Sequence, residues 1–144
     1  ITAWENRWNF RNLVDEHPDG VSERTKTTLA QAESMTHDDY QLLLLRRAQA
    51  QAAHLAAAPL ADAAITLSCP GPAPPWPGDT PGEPLAPRPT GDPVFNTGSS
   101  MLFAPCVSMP LMSVDGLPVG AQVMGLPGQD TQVTALARWL IENL

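Results

Sequence analysis

Three groupings of side chains in this 144-residue sequence have the types and spacing to do chemistry. The first is Gly98-Ser99-Ser100. A serine nucleophile needs a base to take its proton and donors to hold the oxyanion. Nothing basic lies near the pair, and Met101-Leu102-Phe103 follow it rather than a glycine-rich anion cradle. Lys26, the only lysine, falls on the polar face of a helix far away in sequence. Ser99 and Ser100 are therefore read as pocket or loop residues, not nucleophiles. The second grouping is Asp38-Asp39, which as paired carboxylates could do acid–base work. They stand at a helix start, where acidic side chains are favoured electrostatically, and capping explains them better. The third is the set of histidines, His17, His37 and His54. They fall in a turn, at a helix start and in an alanine-rich helix, and none is spaced with a second ligand in a metal pattern. No metal and no cofactor is expected.

The elements that must position these residues follow from periodicity and punctuation. A first helix carries Trp4, Trp8, Leu13 and Val14 and ends before the turn signal His17-Pro18-Asp19-Gly20. Ser22 caps a second helix bearing Leu29, Ala30 and Ala32, with Glu23, Arg24 and Lys26 as its solvated face. Thr36 to Asp39 opens a third helix as a capping box with Asp in the third place. Its apolar stripe is Tyr40, Leu43, Leu44, Ala48, Ala52 and Leu55; Arg46-Arg47 reads as solvated, and Pro59 stops it. Ala63 to Ser68 has the length and β-branched content of a buried strand. Ten of the sixteen prolines then fall between Pro70 and Pro93, which excludes helix and central strand and implies a linker or a long surface loop. A polar loop, Thr90 to Ser100, leads into two apolar strands, Cys106 to Met109 and Val119 to Met124, joined by a turn at Ser113-Val114-Asp115-Gly116. Asp130 caps a last helix with the stripe Val133, Leu136, Ala137, Leu140, Ile141 and Leu144. The order predicts an α/β fold with helices packed on an incomplete mixed sheet. Residues 1–61 form its helical segment and residues 62–144 its strand, loop, strand-pair and helix segment, both parts of one domain.

Bulk properties narrow the function classes. A net charge of -7 and a pI near 4.7 argue against a nucleic-acid or anionic-membrane surface. No run approaches the roughly 18 apolar residues of a membrane span. The stretch from Ile1 has no basic-then-apolar leader and no initiator Met, so Ile1 is not expected to be the natural start. A soluble, cytoplasmic piece of a larger protein is the expectation. Cys69 and Cys106 each border an apolar strand-like run and are expected to be buried free thiols.

An ordered series of short motifs resembles the C-terminal third of the amidase signature family. Trp4-Glu5 and Thr36 to Tyr40 are similar to helices that precede the family's central strand. Asp62-Ala-Ala-Ile-Thr-Leu-Ser-Cys-Pro70 with Ala73-Pro74 resembles its "D, apolar run, T, P … A, P" segment. Thr90-Gly91, then Pro105-Cys-Val-Ser-Met-Pro110, then Gly116-Leu-Pro-Val-Gly-Ala-Gln122, match its "TG … PA-x-S-x-P … GLPVG-x-Q" series in order, and Gly128-Gln-Asp130 completes it. The resemblance implies hydrolysis of amide bonds by a serine nucleophile, a second serine in a cis peptide and a lysine, all in a stretch this chain lacks. No catalytic residue carries over. What carries over is pocket wall: Thr90, Pro93, Thr97 and Ser100, with Phe95 and Asn96 as neighbours, on the acyl or amide side of the substrate. Many relatives have Asn five residues before the proline that is Pro105 here and Gly two before it; this chain has Ser100 and Phe103 there. The implied protein is a fragment inactive by itself, whose partners are a small amide substrate and either further copies of itself or the N-terminal part. The alternative is a non-catalytic binding or scaffold subunit that pairs with a separate catalytic chain.

Overall fold

Every helix in the N-terminal unit starts or stops at a residue whose local chemistry explains it. The computed structural model describes residues 1–75 and 92–144. They fall into two compact units, residues 1–46 and residues 47–75 with 92–144. In the first, α1 (Thr2–Glu16) ends at His17, whose N–H bonds to Leu13 O. Helix α2 (Glu23–Ser34) starts at Ser22, whose hydroxyl accepts from Thr25 N. At the start of α3 (His37–Ala56), Thr36 N and Oγ1 donate to Asp39 Oδ2 at 2.9 and 2.7 Å, while Asp39 N donates to Thr36 Oγ1 at 3.1 Å. Asp thus substitutes for the usual Glu in a reciprocal cap. Leu29 and Ala32 are the buried residues of this unit. Around them Arg11 ties α1 to Glu33 of α2, and Trp4 stacks on Tyr40 with ring centroids 5.6 Å apart.

The second unit is built on a three-stranded antiparallel sheet of order β1-β3-β2. Its strands are β1 (Ala64–Leu67), β2 (Cys106–Val114) and β3 (Leu117–Met124). The hairpin turn is tighter than its four-residue signal: Val114 pairs with Leu117, leaving only Asp115 and Gly116. Both have positive φ, 52° and 77°, as a two-residue turn matched to strand twist requires. Pro110 cannot donate to the ladder, and the register shifts between Met109 and Met112, where Pro110 and Leu111 oppose Gly120 alone. Helix α5 (Asp130–Asn143) lies over β2 and β3, closing a core of Met109, Val123, Val133, Ala137 and Leu140. Full burial of a side chain such as Val123 or Met109 stabilises by about 1.5–3 kcal/mol. Gln129, not Asp130, is the residue at the N-cap, and its side chain accepts from Leu126 N at 3.0 Å. Ile141 and Leu144, expected in the stripe, are exposed because they extend past the sheet-facing side.

Several expectations are corrected. β1 is not buried: Ile65 is 59 % exposed, since α5 covers β2 and β3 and leaves β1 at an edge. The polar stretch before the strand pair is not a loop beyond Pro93 but a helix, α4 (Val94–Leu102). Asp92 Oδ1 accepts from Val94 N at 3.0 Å and starts it. The proline-rich segment lies outside the described residues from 76 to 91. Cys106 is exposed and Cys69 half-buried, both as free thiols. On α3, Ala48, Ala52 and Leu55 are exposed, and Arg47, Gln51 and His54 are half-buried in their stead. Gln51 Nε2 donates to Met101 O at 2.8 Å, and His54 Nε2 to Gly125 O at 3.0 Å. The guanidinium of Arg47 lies 5.6 Å from the ring centre of Phe103. The rotated face has a cause in the backbone. The residue four beyond Met101 is Pro105, which has no N–H to give, so the Met101 carbonyl takes its donor from Gln51.

Candidate functional site

Helix α4 gathers most of the implied pocket residues. Pro93, Asn96, Thr97 and Ser100 recur at three- and four-residue intervals and so share one helical face. Pro93 is half-buried, and Asn96, Thr97 and Ser100 are exposed. The Pro93 carbonyl accepts from Asn96 N at 2.9 Å, Thr97 N at 2.8 Å and Thr97 Oγ1 at 3.0 Å. With its hydroxyl proton engaged, Thr97 offers a ligand only oxygen lone pairs. Asn96 presents a carboxamide and Ser100 a free-standing hydroxyl. The face can therefore donate to a carbonyl and accept from an N–H, which are the two demands of an amide group. Phe95 does not join it. Phe95 is half-buried and belongs with Ser99 and Leu102 on the side turned to the sheet. Thr90 lies outside the described residues.

The sheet side of α4 is polar at one point. Gln122, 2 % exposed, points from β3 to the face opposite α5. Its Nε2 donates to Thr66 Oγ1 at 2.9 Å and to Phe95 O at 3.1 Å, and its Oε1 accepts from Cys106 Sγ at 2.9 Å. Partial burial raises the Cys106 thiol above its ordinary pKa, and the Ser99 hydroxyl beside it acts in the opposite direction. A thiol held protonated is a hydrogen-bond donor rather than a nucleophile. Ser99 is buried, and its hydroxyl donates to Asn96 O at 3.0 Å, one turn back in its own helix. Among the described residues no hydrogen bond joins Ser99 or Ser100 to a histidine, lysine or carboxylate. In sequence Gln122 was legible as the last residue of the Gly116-to-Gln122 motif and as the one polar residue inside an apolar strand; its three bonds needed the fold.

The remaining groupings do not converge. His37 bonds Gln41 in its own helix. Among the described residues no group of three His, Cys, Asp or Glu side chains could hold a metal. A cavity of about 120 Å³ lies between the end of α3 and the start of β1, lined by His54, alanines and Asp62. It is smaller than the roughly 300–1,000 Å³ of ordinary ligand sites, and no implied pocket residue lines it.

No protein-family model matches the sequence, and no curated protein matches it. Solved structures do. One, described as an amidase, superposes on 99 % of this chain with a TM-score of 0.78 and 26 % identity, and the match covers 33 % of that chain. A second, a bacterial aryl acylamidase belonging to the amidase signature family, matches 92 % of this chain with a TM-score of 0.68 and 16 % identity, over 30 % of its own length. The second likeness is one of fold. The resemblance read from the motifs is thus borne out by structural neighbours, and the α/β architecture is theirs. The chain spans about a third of the length of each.

Proposed function

We propose that this chain is the C-terminal portion of a serine-dependent amidase, and that α4 supplies a wall of its substrate pocket. The observation that carries the reading is the end-to-end likeness to a third of an amidase, together with the polar face of α4. In the complete enzyme a serine outside this chain attacks the amide carbonyl, the C–N bond breaks, the amine leaves, and water releases the acyl group from the serine. The role of this chain is to bind and orient. Asn96 and Ser100 hydrogen-bond the substrate amide, Thr97 accepts through its hydroxyl oxygen, and Pro93 bounds the same wall. The chain completes the sheet and does not turn over substrate alone, because its own serines lack a base. A complete enzyme would form either with the N-terminal part or as an oligomer, with the cytoplasm as its expected location.

Incubating the chain with acetamide, benzamide and an anilide should release no ammonia or aniline above the rate in buffer. Hydrolysis abolished by Ser99→Ala or Ser100→Ala would overturn the assignment of both serines. Sequence upstream of Ile1 in the reading frame should contain a glycine- and serine-rich stretch with a lysine; its absence would favour the scaffold reading.

A further inference from the structure

Gln122 is the most deeply buried polar side chain among the described residues, yet it sits in a strand whose other inward positions are apolar. We propose that Gln122 is the positioning residue for the substrate face of α4: its amide ties the Phe95 carbonyl to the sheet and so sets where Asn96, Thr97 and Ser100 stand. The proposal rests on the amidase reading for what that face does, and on the hydrogen bonds alone for how it is held.

The amide has one possible orientation. Thr66 Oγ1 donates to Leu67 O at 3.1 Å, so its oxygen meets Gln122 as an acceptor. The Phe95 carbonyl can only accept. Both neighbours therefore demand Nε2, and the Cys106 thiol supplies the proton that Oε1 needs. Turning the amide over would set oxygen against the Phe95 oxygen. Three elements thus fix the group, and the group reaches α4 in its first turn, one residue before Asn96. The other bonds of that turn, from Asp92 and Pro93, are internal to the segment and do not locate it on the sheet. The Phe95 carbonyl keeps its place as a helical acceptor whether or not Gln122 is present, so losing the tether frees the helix without stranding a buried group.

Gln122→Met keeps nearly the same length and volume while removing all three bonds, which separates hydrogen bonding from packing. Amide hydrogen exchange on the chain is the test. Exchange across residues 97–102 should rise by about tenfold or more, with the amides of β2 and β3 within about threefold of wild type. Thr66→Val, a milder change that removes only the orienting acceptor, should act in the same direction and less. Equal acceleration in α4 and the hairpin, or an unchanged α4, would overturn the proposal. In the amidase containing this chain, Gln122→Met should raise KM for benzamide about tenfold and leave kcat within about threefold. A fall in kcat at unchanged KM would equally overturn it. If the unsubstituted enzyme hydrolyses no amide, the amidase reading fails while the exchange experiment still decides the tether.

Discussion

Asp39 and Phe103 show how much a single residue can carry in this chain. Hydrogen bonds from the Thr36 hydroxyl and then the Thr36 N–H hold the Asp39 carboxyl below its ordinary pKa of 3.8. Asp39 therefore binds its proton more weakly folded than unfolded. The stabilisation it supplies is complete above the unfolded value and is lost as pH falls through the lower folded value. Thr36→Ala removes the larger of the two bonds, and a carboxylate titration followed by NMR should show the Asp39 pKa rising toward 3.8; no movement would mean that the cap is not formed. Phe103 ends α4 with φ of 54°, in the left-handed region, and its N–H bonds to Ser100 and Ser99 carbonyls. A side chain costs about 1–2 kcal/mol there. The contact with Arg47 offsets part of that cost, about 0.5–1 kcal/mol for an exposed cation–π pair. Phe103→Gly should stabilise the chain by about 0.5–1 kcal/mol in urea unfolding, and a loss of stability would show that the Arg47 contact outweighs the backbone strain.

At the scale of elements, the decisive packing is that of α5 on the hairpin. Gly125 marks the close approach: a Cβ there would stand 2.3 Å from Val133 Cγ2, too near unless the core gives way. Val133 is 1 % exposed and has little room to move. Gly125→Ala should therefore cost about 1–3 kcal/mol by overpacking, and Val133→Ala about 2 kcal/mol by leaving a cavity. Because the second change removes the methyl that the first collides with, the double variant should be less destabilised than the sum by about 1 kcal/mol. Simple additivity of urea midpoints at constant m would place the strain elsewhere. The same scale explains α3 and α4. The Thr36 cap is legible because its partners are three residues apart. The face that α3 uses is not, because Arg47, Gln51 and His54 are recruited by carbonyls distant in sequence. α4 hides behind Pro93, Gly98 and two serines, all loop formers by composition; the bond from Val94 N to the Asp92 carboxylate, the burial of Ser99 and the half-burial of Phe95 favour the helix.

For the whole molecule the informative feature is the open side of the sheet. Ile65, 59 % exposed, and Leu67, 38 % exposed, stand on an edge strand that α5 does not cover. An uncovered apolar edge favours pairing with another chain. Ile65→Lys should lower concentration-dependent association in light scattering while leaving the far-UV circular dichroism unchanged. Unaltered association would exclude the β1 edge as its source. Among the described residues no helix is long and apolar enough to cross a membrane.

The sequence by itself determined whatever depends on neighbours a few residues apart. The three N-terminal helices, a turn within Ser113 to Gly116, the strand pair, the last helix and the ordered motifs of an amidase all belong here, whereas the tightening of that turn to Asp115-Gly116 needed the pairing of Val114 with Leu117. It also removed Ser99 and Ser100 from the nucleophile candidates, since no base stands near them in sequence. Only the tertiary structure decided which faces those elements use. It set Asn96, Thr97 and Ser100 together on one side of a helix, left β1 and Cys106 open, and turned Gln122 from a polar interruption in a strand into the point where three strands and α4 meet. The physical reason is one of range. Caps and turns are satisfied within a few residues, whereas a buried amide must find its partners wherever the fold brings them, here from Thr66, Phe95 and Cys106.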